Sequence, residues 1–251
     1  MDNANYVALS RQITLQRELD IAANNLANMN TTGYKFEELL VNTQPGAPAY
    51  DDPIKTPANF AYDNGVGRDF REGTLQQTGA PYDLAIEGEG AFFSVQTPTG
   101  TQYTRDGAFT LGADGTLETQ DGYPVQSDSG PIVLDPKKGE AVISEDGIVS
   151  QAFQGTSEQV GKISLVRVAN MSALQKNGRG LYTLNSGAST EPATDVRLRQ
   201  GMLETSNVNP MTEVTHLIQI NRAYTQLADL IQQNSQLSQT AISRLGQVTS
   251  A

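Results

Sequence analysis

From residue 15 onward the apolar positions recur as Leu15, Leu19, Ala22, Leu26 and Met29, at spacings of 4, 3, 4 and 3. That rhythm places them along one face of an α-helix in the manner of a heptad stripe. Tyr6, Leu9 and Ile13 add an earlier turn of similar spacing, and Thr31, Thr32 and Gly33 supply stop signals near Asn30. A second stripe runs through Val214, Leu217, Asn221, Tyr224, Ala228 and Ile231, widened on its flank by Ile220 and Leu227 and roughly continued by Leu237, Ala241, Leu245 and Val248. Its start is marked by Asn209, an N-cap type, and by Pro210, whose locked φ and missing N–H suit the first helical position. Glu213 then falls in the first turn, where the helix dipole favours an acid. At 1.5 Å per residue this second helix makes a rod of about 50 Å.

Between the two stripes the period changes. Short alternating runs such as AFFSV, GAFTL and GTLET are separated by Asp106-Gly107, Asp114-Gly115, Asp121-Gly122 and Asp146-Gly147. Asp-Gly is a strong hairpin signal, because both central positions of a type I′ turn need φ > 0. The pattern predicts an antiparallel, hairpin-rich β domain. Phe92 and Phe93 fall on opposite faces of one strand, which predicts core on one side and an inter-domain contact on the other. Residues 42–68 carry the Pro, Asp and Asn content of an extended linker.

The chain thus divides into an N-terminal helix (1–34), an extended linker (35–72), a central β domain (73–190), a return linker (191–207) and a C-terminal helix (208–251). The expected fold class is α+β, with the two terminal helices paired as a coiled-coil-like domain beside a central all-β domain. Glycine and proline follow this division: all 11 prolines and all glycines but one lie between Gly33 and Pro210, so residues 1–32 and 211–245 are free to be continuous helices. Charge follows it too. The net charge of −11 resides almost wholly in residues 35–207, and the two ends are nearly neutral.

An acidic chain has no basic face with which to neutralise phosphates, which argues against nucleic acid or an anionic membrane as partner. With no cysteine, disulfides, thiolate metal sites and cysteine nucleophiles are excluded. No run of about 18 apolar residues occurs, and the first residues show no basic segment followed by an unbroken apolar one, so neither membrane insertion nor a cleavable signal is expected.

Candidate chemistry is thin. His216 is the single histidine, and no G-x-S-x-G motif accompanies it, so it reads as a polar helix residue. Glu87 and Glu89, with Asp83, have the look of paired carboxylates, but Gly88 and Gly90 between and after them suit a bend better than a catalytic floor. Calcium is the alternative for the acidic Asp-Gly turns, although neither the D-x-D-x-D-G loop nor the nonapeptide Asp repeat is present. No catalytic residue, cofactor or metal is expected, and the protein does not read as an enzyme.

That leaves the stretch ANNLANMNTTGYK at residues 23–35, with four asparagines in an otherwise helical pattern. Asparagine is a mediocre helix former. The amides are either solvent-facing residues near the helix end or groups that hydrogen-bond across a helix contact and fix its register. On the second reading Leu15, Leu19, Ala22, Asn25, Leu26, Asn28 and Met29 pack against neighbouring copies of the chain, as do Val214, Leu217, Asn221, Tyr224, Leu227 and Ile231. Long neutral helices gain little over their ordering cost when isolated. They are expected to order when neighbouring copies cover them.

These motifs resemble a known family. ANNLANMNTTGYK is similar to the N-terminal signature of the bacterial flagellar rod and hook axial proteins. The run DFREGTLQQTGAPYDLAIEGEGAFFSVQTPTGTQYTRDGAFTLGADGTLETQDGYPV resembles their shared β domain, and QGMLETSNVNPMTEVTHLIQINRAYTQLADLIQ their C-terminal signature. The length, MDNANYVALSRQ and FAYDNGVGRDFREGTL most resemble the proximal rod members, with distal rod or hook-type members as the alternative. Tyr82 and Ala91 depart from the family pattern. The resemblance implies a structural subunit of the flagellar basal body, exported through the flagellar apparatus without a cleavable signal. It would polymerise in the periplasm, with itself and related rod proteins, into a hollow driveshaft. A secreted calcium-dependent β adhesin is the reading from a different class.

Overall fold

The computed structural model describes residues 2–47, 58–153, 156–185 and 187–248. The chain forms two compact units. The first comprises Met1–Ala27, Glu37–Arg68 and Asn209–Ala251, and the second Asn28–Phe36 and Asp69–Val208.

In the first unit, helix α1 (Asp2–Ala27) and helix α2 (Pro210–Val248) are joined by a two-stranded antiparallel hairpin of β1 (Glu37–Ala47) and β2 (Ala58–Arg68). This corrects the expected coiled-coil-like pairing. The helices touch through a short cluster built on Leu15, Ala22 and Ile220, while α1 also packs along both strands of the hairpin. The physical reason lies in α1 itself. Its buried positions are Ala8, Thr14, Leu15, Ala22 and Asn25, a face of small and polar residues divided between a helix and a sheet rather than a continuous a/d seam.

The segment read as a linker is therefore largely strand. Its irregular residues sit where the ladder is irregular: the register shifts between Leu39 and Val41 and again between Gln44 and Ala47, around Pro45, and Gly65 adopts φ +107°. Bulges take up residues that a regular ladder cannot pair. The remainder of the Pro-rich stretch, residues 48–57, lies outside the described residues.

The second unit is antiparallel in every strand pair described. Its largest sheet has six strands, in the order Leu174–Lys176, Leu181–Leu184, Gly100–Thr104, Ala91–Thr97, Leu165–Val168 and Thr190–Pro192. The stretch 191–207, expected as a return linker, instead contributes Arg197–Gln200 against Leu84–Glu87 and Met202–Glu204 against Leu75–Gln77. Phe93 points into the main core with Leu84, Ile86 and Val95, and meets Phe109 edge-on at 5.0 Å. Phe92 points the other way, into a second core with Val168, Leu174 and Tyr182, flanked by Phe70. Both faces of this strand are thus covered within the β unit, and Phe92 is a core residue rather than an inter-domain contact.

The Asp-Gly pairs also need correction. At Gly115, Gly122 and Gly147 the glycine alone has positive φ, and its N–H donates to the carbonyl three residues earlier, at Gly112, Thr119 and Ser144. Asp then sits at the third position of a type I-like turn followed by a left-handed glycine, a G1-bulge arrangement in place of type I′. Asp106-Gly107 makes no hairpin: a Cβ on Gly107 would lie 1.7 Å from the Leu84 carbonyl oxygen, so this pair marks a close backbone approach.

Candidate functional site

Chemistry-bearing residues gather in two places, one in each unit. In the helical unit the focus is Asn25, which is fully buried. Its Nδ2 donates to the Glu37 carbonyl at 2.7 Å and to Glu213 Oε1 at 3.1 Å, and its Oδ1 accepts the Glu37 N–H at 3.1 Å. One amide therefore ties the end of α1 to the start of β1 and to the first turn of α2, and because Asn25 is late in α1 and Glu213 early in α2 the helices run antiparallel. The start of α2 is capped by Asn209, whose Oδ1 accepts from the N–H groups of Met211 at 3.1 Å and Thr212 at 3.3 Å, with Pro210 as the first helical residue.

The structure divides the expected packing residues. Leu15, Ala22 and Asn25 are buried inside the single chain, and Leu19, Leu217, Tyr224 and Leu227 pack against that same cluster. Leu26, Asn28, Met29 and Ile231 are half-buried. Val214 and Asn221 are exposed, because the inward stripe of α2 keeps the expected Leu217, Tyr224, Leu227 and Ile231 but takes Glu213 and Ile220 in place of those two. His216 is exposed on the same helix.

Other apolar side chains of this unit face outward. Tyr6, Leu9 and Ile13 are exposed on α1, and Met211, Val214, Ile218, Leu230, Leu237, Ile242 and Leu245 on α2. With 39 residues against 26, α2 runs on past the partnered length of α1, and Ile242 and Leu245 there are both 71% exposed. A helix this apolar on several sides within one chain has surface left to cover.

In the β unit the focus is the end of the asparagine-rich motif. Asn28 accepts from Thr31, Thr32 donates to Asp106 Oδ1 at 2.6 Å, and the Gly33 N–H donates to the Glu204 carbonyl at 2.9 Å. Gly33 has φ +64°, and a Cβ there would stand 2.5 Å from the Arg105 carbonyl carbon, so only glycine fits. Tyr34 is buried with Lys176 Nζ 4.4 Å over its ring. Lys35 is buried as well, donating to Glu204 Oε1 and to the Arg71 carbonyl, each at 2.7 Å.

Glu204 is the hub. Beyond Lys35 it accepts from the Gly73 N–H at 2.8 Å and from Arg105 Nε at 2.5 Å. Arg105, itself buried, donates onward to the carbonyls of Ala91, Ile86 and Gly88 and to Glu72 at 3.3 Å, so the loop around Glu87 and Glu89 is folded about a guanidinium. Glu87 lies at the surface paired to Arg199 at 2.8 Å. The same guanidinium donates to Glu145 at 2.7 Å, so Glu87 and Glu145 are ion-pair partners of one arginine at the surface.

Burial pulls the Lys35 pKa down, more than the facing Glu204 raises it. Burial alone would push Glu204 up, but the charges of Arg105 and Lys35 together outweigh it and hold the carboxyl below the ordinary carboxylate range. Asp106 goes the other way: burial raises it against the hydrogen bonds from Thr32 and Ala108. Of the other turn aspartates, Asp114 accepts the Thr116 N–H at 3.0 Å and Asp121 accepts from the Arg179 guanidinium at 3.0 Å. Among the described residues no group of three or more acidic or histidine side chains stands together as metal ligands do.

Sequence reasoning missed Lys35, Glu72, Arg105, Glu204 and Asn207. Asn207 accepts the Phe36 N–H at 2.7 Å and donates to the Asp69 and Arg71 carbonyls. One signal was available: Lys35 closes the asparagine-rich motif directly after Tyr34, and Glu204 follows Leu203 in the approach to the C-terminal helix. Their pairing across 169 residues was not readable from spacing.

Comparison with known proteins covers the same segments. Residues 6–35 match the family described as flagella basal body rod protein. Residues 85–151 match the flagellar hook protein FlgE/F/G D1 domain, and 199–244 the flagellar basal body rod FlgEFG protein C-terminal. The chain is 48% identical to the flagellar basal-body rod protein FlgF of Caulobacter vibrioides, over 99% of this chain and 100% of that one. It is 36% identical to FlgF of Mesorhizobium japonicum over 98% and 99%, and 33% identical to the rod protein FlgG of Bacillus subtilis over 94% and 97%.

Proposed function

Since the chain belongs to the flagellar basal-body rod protein family, we propose that the outward apolar faces of α1 and α2 are the surfaces through which it assembles. It is a structural subunit of the basal-body rod, and it works by joining copies of itself and other rod proteins. Its position is the proximal rod, given full-length likeness to two FlgF proteins, and its compartment is the periplasmic space, reached through the flagellar export apparatus.

The observation that carries the assembly reading is the row of uncovered side chains on one continuous unit: Tyr6, Leu9 and Ile13 on α1, with Leu237, Ile242 and Leu245 on the long end of α2. A surface of this kind on two different faces gives heterologous contacts, which repeat without closing and build a helical polymer. The inner cluster of Leu15, Ala22 and Ile220 keeps the two helices in register so that those faces are presented together. Torque then passes through many small contacts. Nucleic acid is not a partner, given the net charge of −11. None of the described helices is long and apolar enough to cross a membrane.

The test uses Ile13→Asp and Leu245→Asp. Both side chains are exposed in the single chain, so each variant should keep wild-type circular dichroism and thermal midpoint yet fail to enter basal bodies and abolish motility. Normal rods built from either variant would remove the proposed surface from the assembly. A calcium-binding β module is the competing reading; it expects binding activity to survive in both variants.

A further inference from the structure

We propose that Glu204 is the closing residue of the β unit, and that without it Lys35 and Arg105 hold that unit open. The carboxylate sits where four separate stretches of chain meet: it binds Lys35 and Arg105 through its side chain, the Gly73 N–H through Oε1, and the Gly33 N–H through its own carbonyl. Its side chain is 1% exposed, and those of Lys35 and Arg105 are 2% each. Two cations buried beside one another repel; Glu72 stands 3.3 Å from Arg105 but is 35% exposed, and Asp69, which also acts on Lys35, is held by Arg71. Desolvated cations left with only part-solvated counter-charges cost more than they return. Glu204 supplies the missing charge and, through its carboxylate and its carbonyl, acceptors for the N–H groups of Gly73 and Gly33.

Chain order gives this a consequence. Lys35, Glu72, Gly73 and Arg105 all lie in the first 105 residues, while Glu204 comes 99 residues after Arg105. A chain that emerges from its N-terminus carries both cations long before their counter-ion, so the segment 28–36 cannot be seated against Arg105 in a partial chain. The β unit closes only when nearly all of its sequence is present. The device is a safeguard against locking part of the unit early, and it holds for any N-terminus-first delivery, whether or not the outward helix faces assemble as proposed above.

The experiment compares three full-length variants by hydrogen exchange with mass spectrometry on peptides covering 84–104. Glu204→Gln, which keeps shape and loses charge, should exchange at least about 100-fold faster than wild type there. Lys35→Met added to Glu204→Gln removes one orphaned cation and should recover protection by at least about tenfold, while Lys35→Met alone leaves Arg105 paired and stays near wild type. Exchange in Glu204→Gln within about threefold of wild type would overturn the proposal. So would a double variant no better protected than Glu204→Gln, because Glu204 would then matter for contacts other than charge. If Glu204→Gln is unfolded outright, the double variant decides alone: native near-ultraviolet circular dichroism supports the lock and an unfolded spectrum sinks it.

Discussion

In the β unit Phe93 belongs to a core of 18 buried residues, and Phe92 on the reverse of the same strand enters a second core. In the helical unit the corresponding cluster has three fully buried members, Leu15, Ala22 and Ile220. Burial of apolar surface offsets the ordering cost of the chain at roughly 25 cal/mol per Å². By that measure the β unit has the means to stand alone, and the helical unit leaves much of its apolar area unused. One part of the molecule buries its hydrophobic residues within itself, and the other leaves many of them exposed on its helices. The polar interiors differ in the same way: the β unit encloses a charged cluster of Lys35, Arg105 and Glu204, whereas the helical unit relies on the neutral amide of Asn25 for its cross-brace.

The contrast can be broken from either side, and the largest effect should come from the β core. Phe93→Ala removes a ring that is 0% exposed and edge-on to Phe109, and should cost about 3–5 kcal/mol of β-unit stability in urea titration. Hydrogen exchange in α1 and α2 should be unchanged if the units are energetically separate. Next in size is Asn25→Ala, which removes three hydrogen bonds of a buried amide to the Glu37 backbone and to Glu213 and should cost the helical unit about 2–3 kcal/mol. Asn221→Ala, at an exposed position of α2, should stay within about 0.5 kcal/mol. Equal effects at the two asparagines would erase the distinction drawn for the amides.

Acid sharpens the comparison further. Glu204 has a folded pKa held below the ordinary value, so its contribution is fully present above the ordinary carboxylate range and is lost as pH falls through the lowered value. Asp106 has a raised folded pKa, so its contribution has the opposite sign and fades as pH rises through that value. Chemical denaturation of the β unit from neutral to acid pH should therefore show an acid loss that Glu204→Gln lacks and an upper-side slope that Asp106→Asn lacks. Asn209→Ala should cost about 1 kcal/mol through the lost N-cap of α2, less than Asn25→Ala and more than Asn221→Ala, read as a lowered melting midpoint of the helical signal.

Both helices, the start of α2 at Asn209 and Pro210, and a β middle were legible because each depends on local pattern: a 3.6-residue period, a cap, a two-residue alternation. The β1–β2 hairpin was not, since its Pro45, Gly65 and paired-register shifts look like loop chemistry until the partner strand is known. Leu217, Tyr224, Leu227 and Ile231 of the expected α2 stripe do face inward, but Val214 and Asn221, at the same regular spacing, point outward, and flanking positions on one helix cannot be ranked without the surface they face. Of the charged cluster, sequence yields the residue types but not the meeting of Lys35 with Glu204. Nothing in local spacing encodes a contact closed by the fold as a whole.

The most direct test of the claim that the outward helix faces are covered by neighbouring copies is amide exchange across residues 230–245 of α2, in the dilute single chain and in isolated basal bodies. The account predicts fast exchange in the single chain and protection higher by about 100-fold or more after assembly. Full protection of the same amides in the dilute single chain, unchanged on assembly, would contradict it.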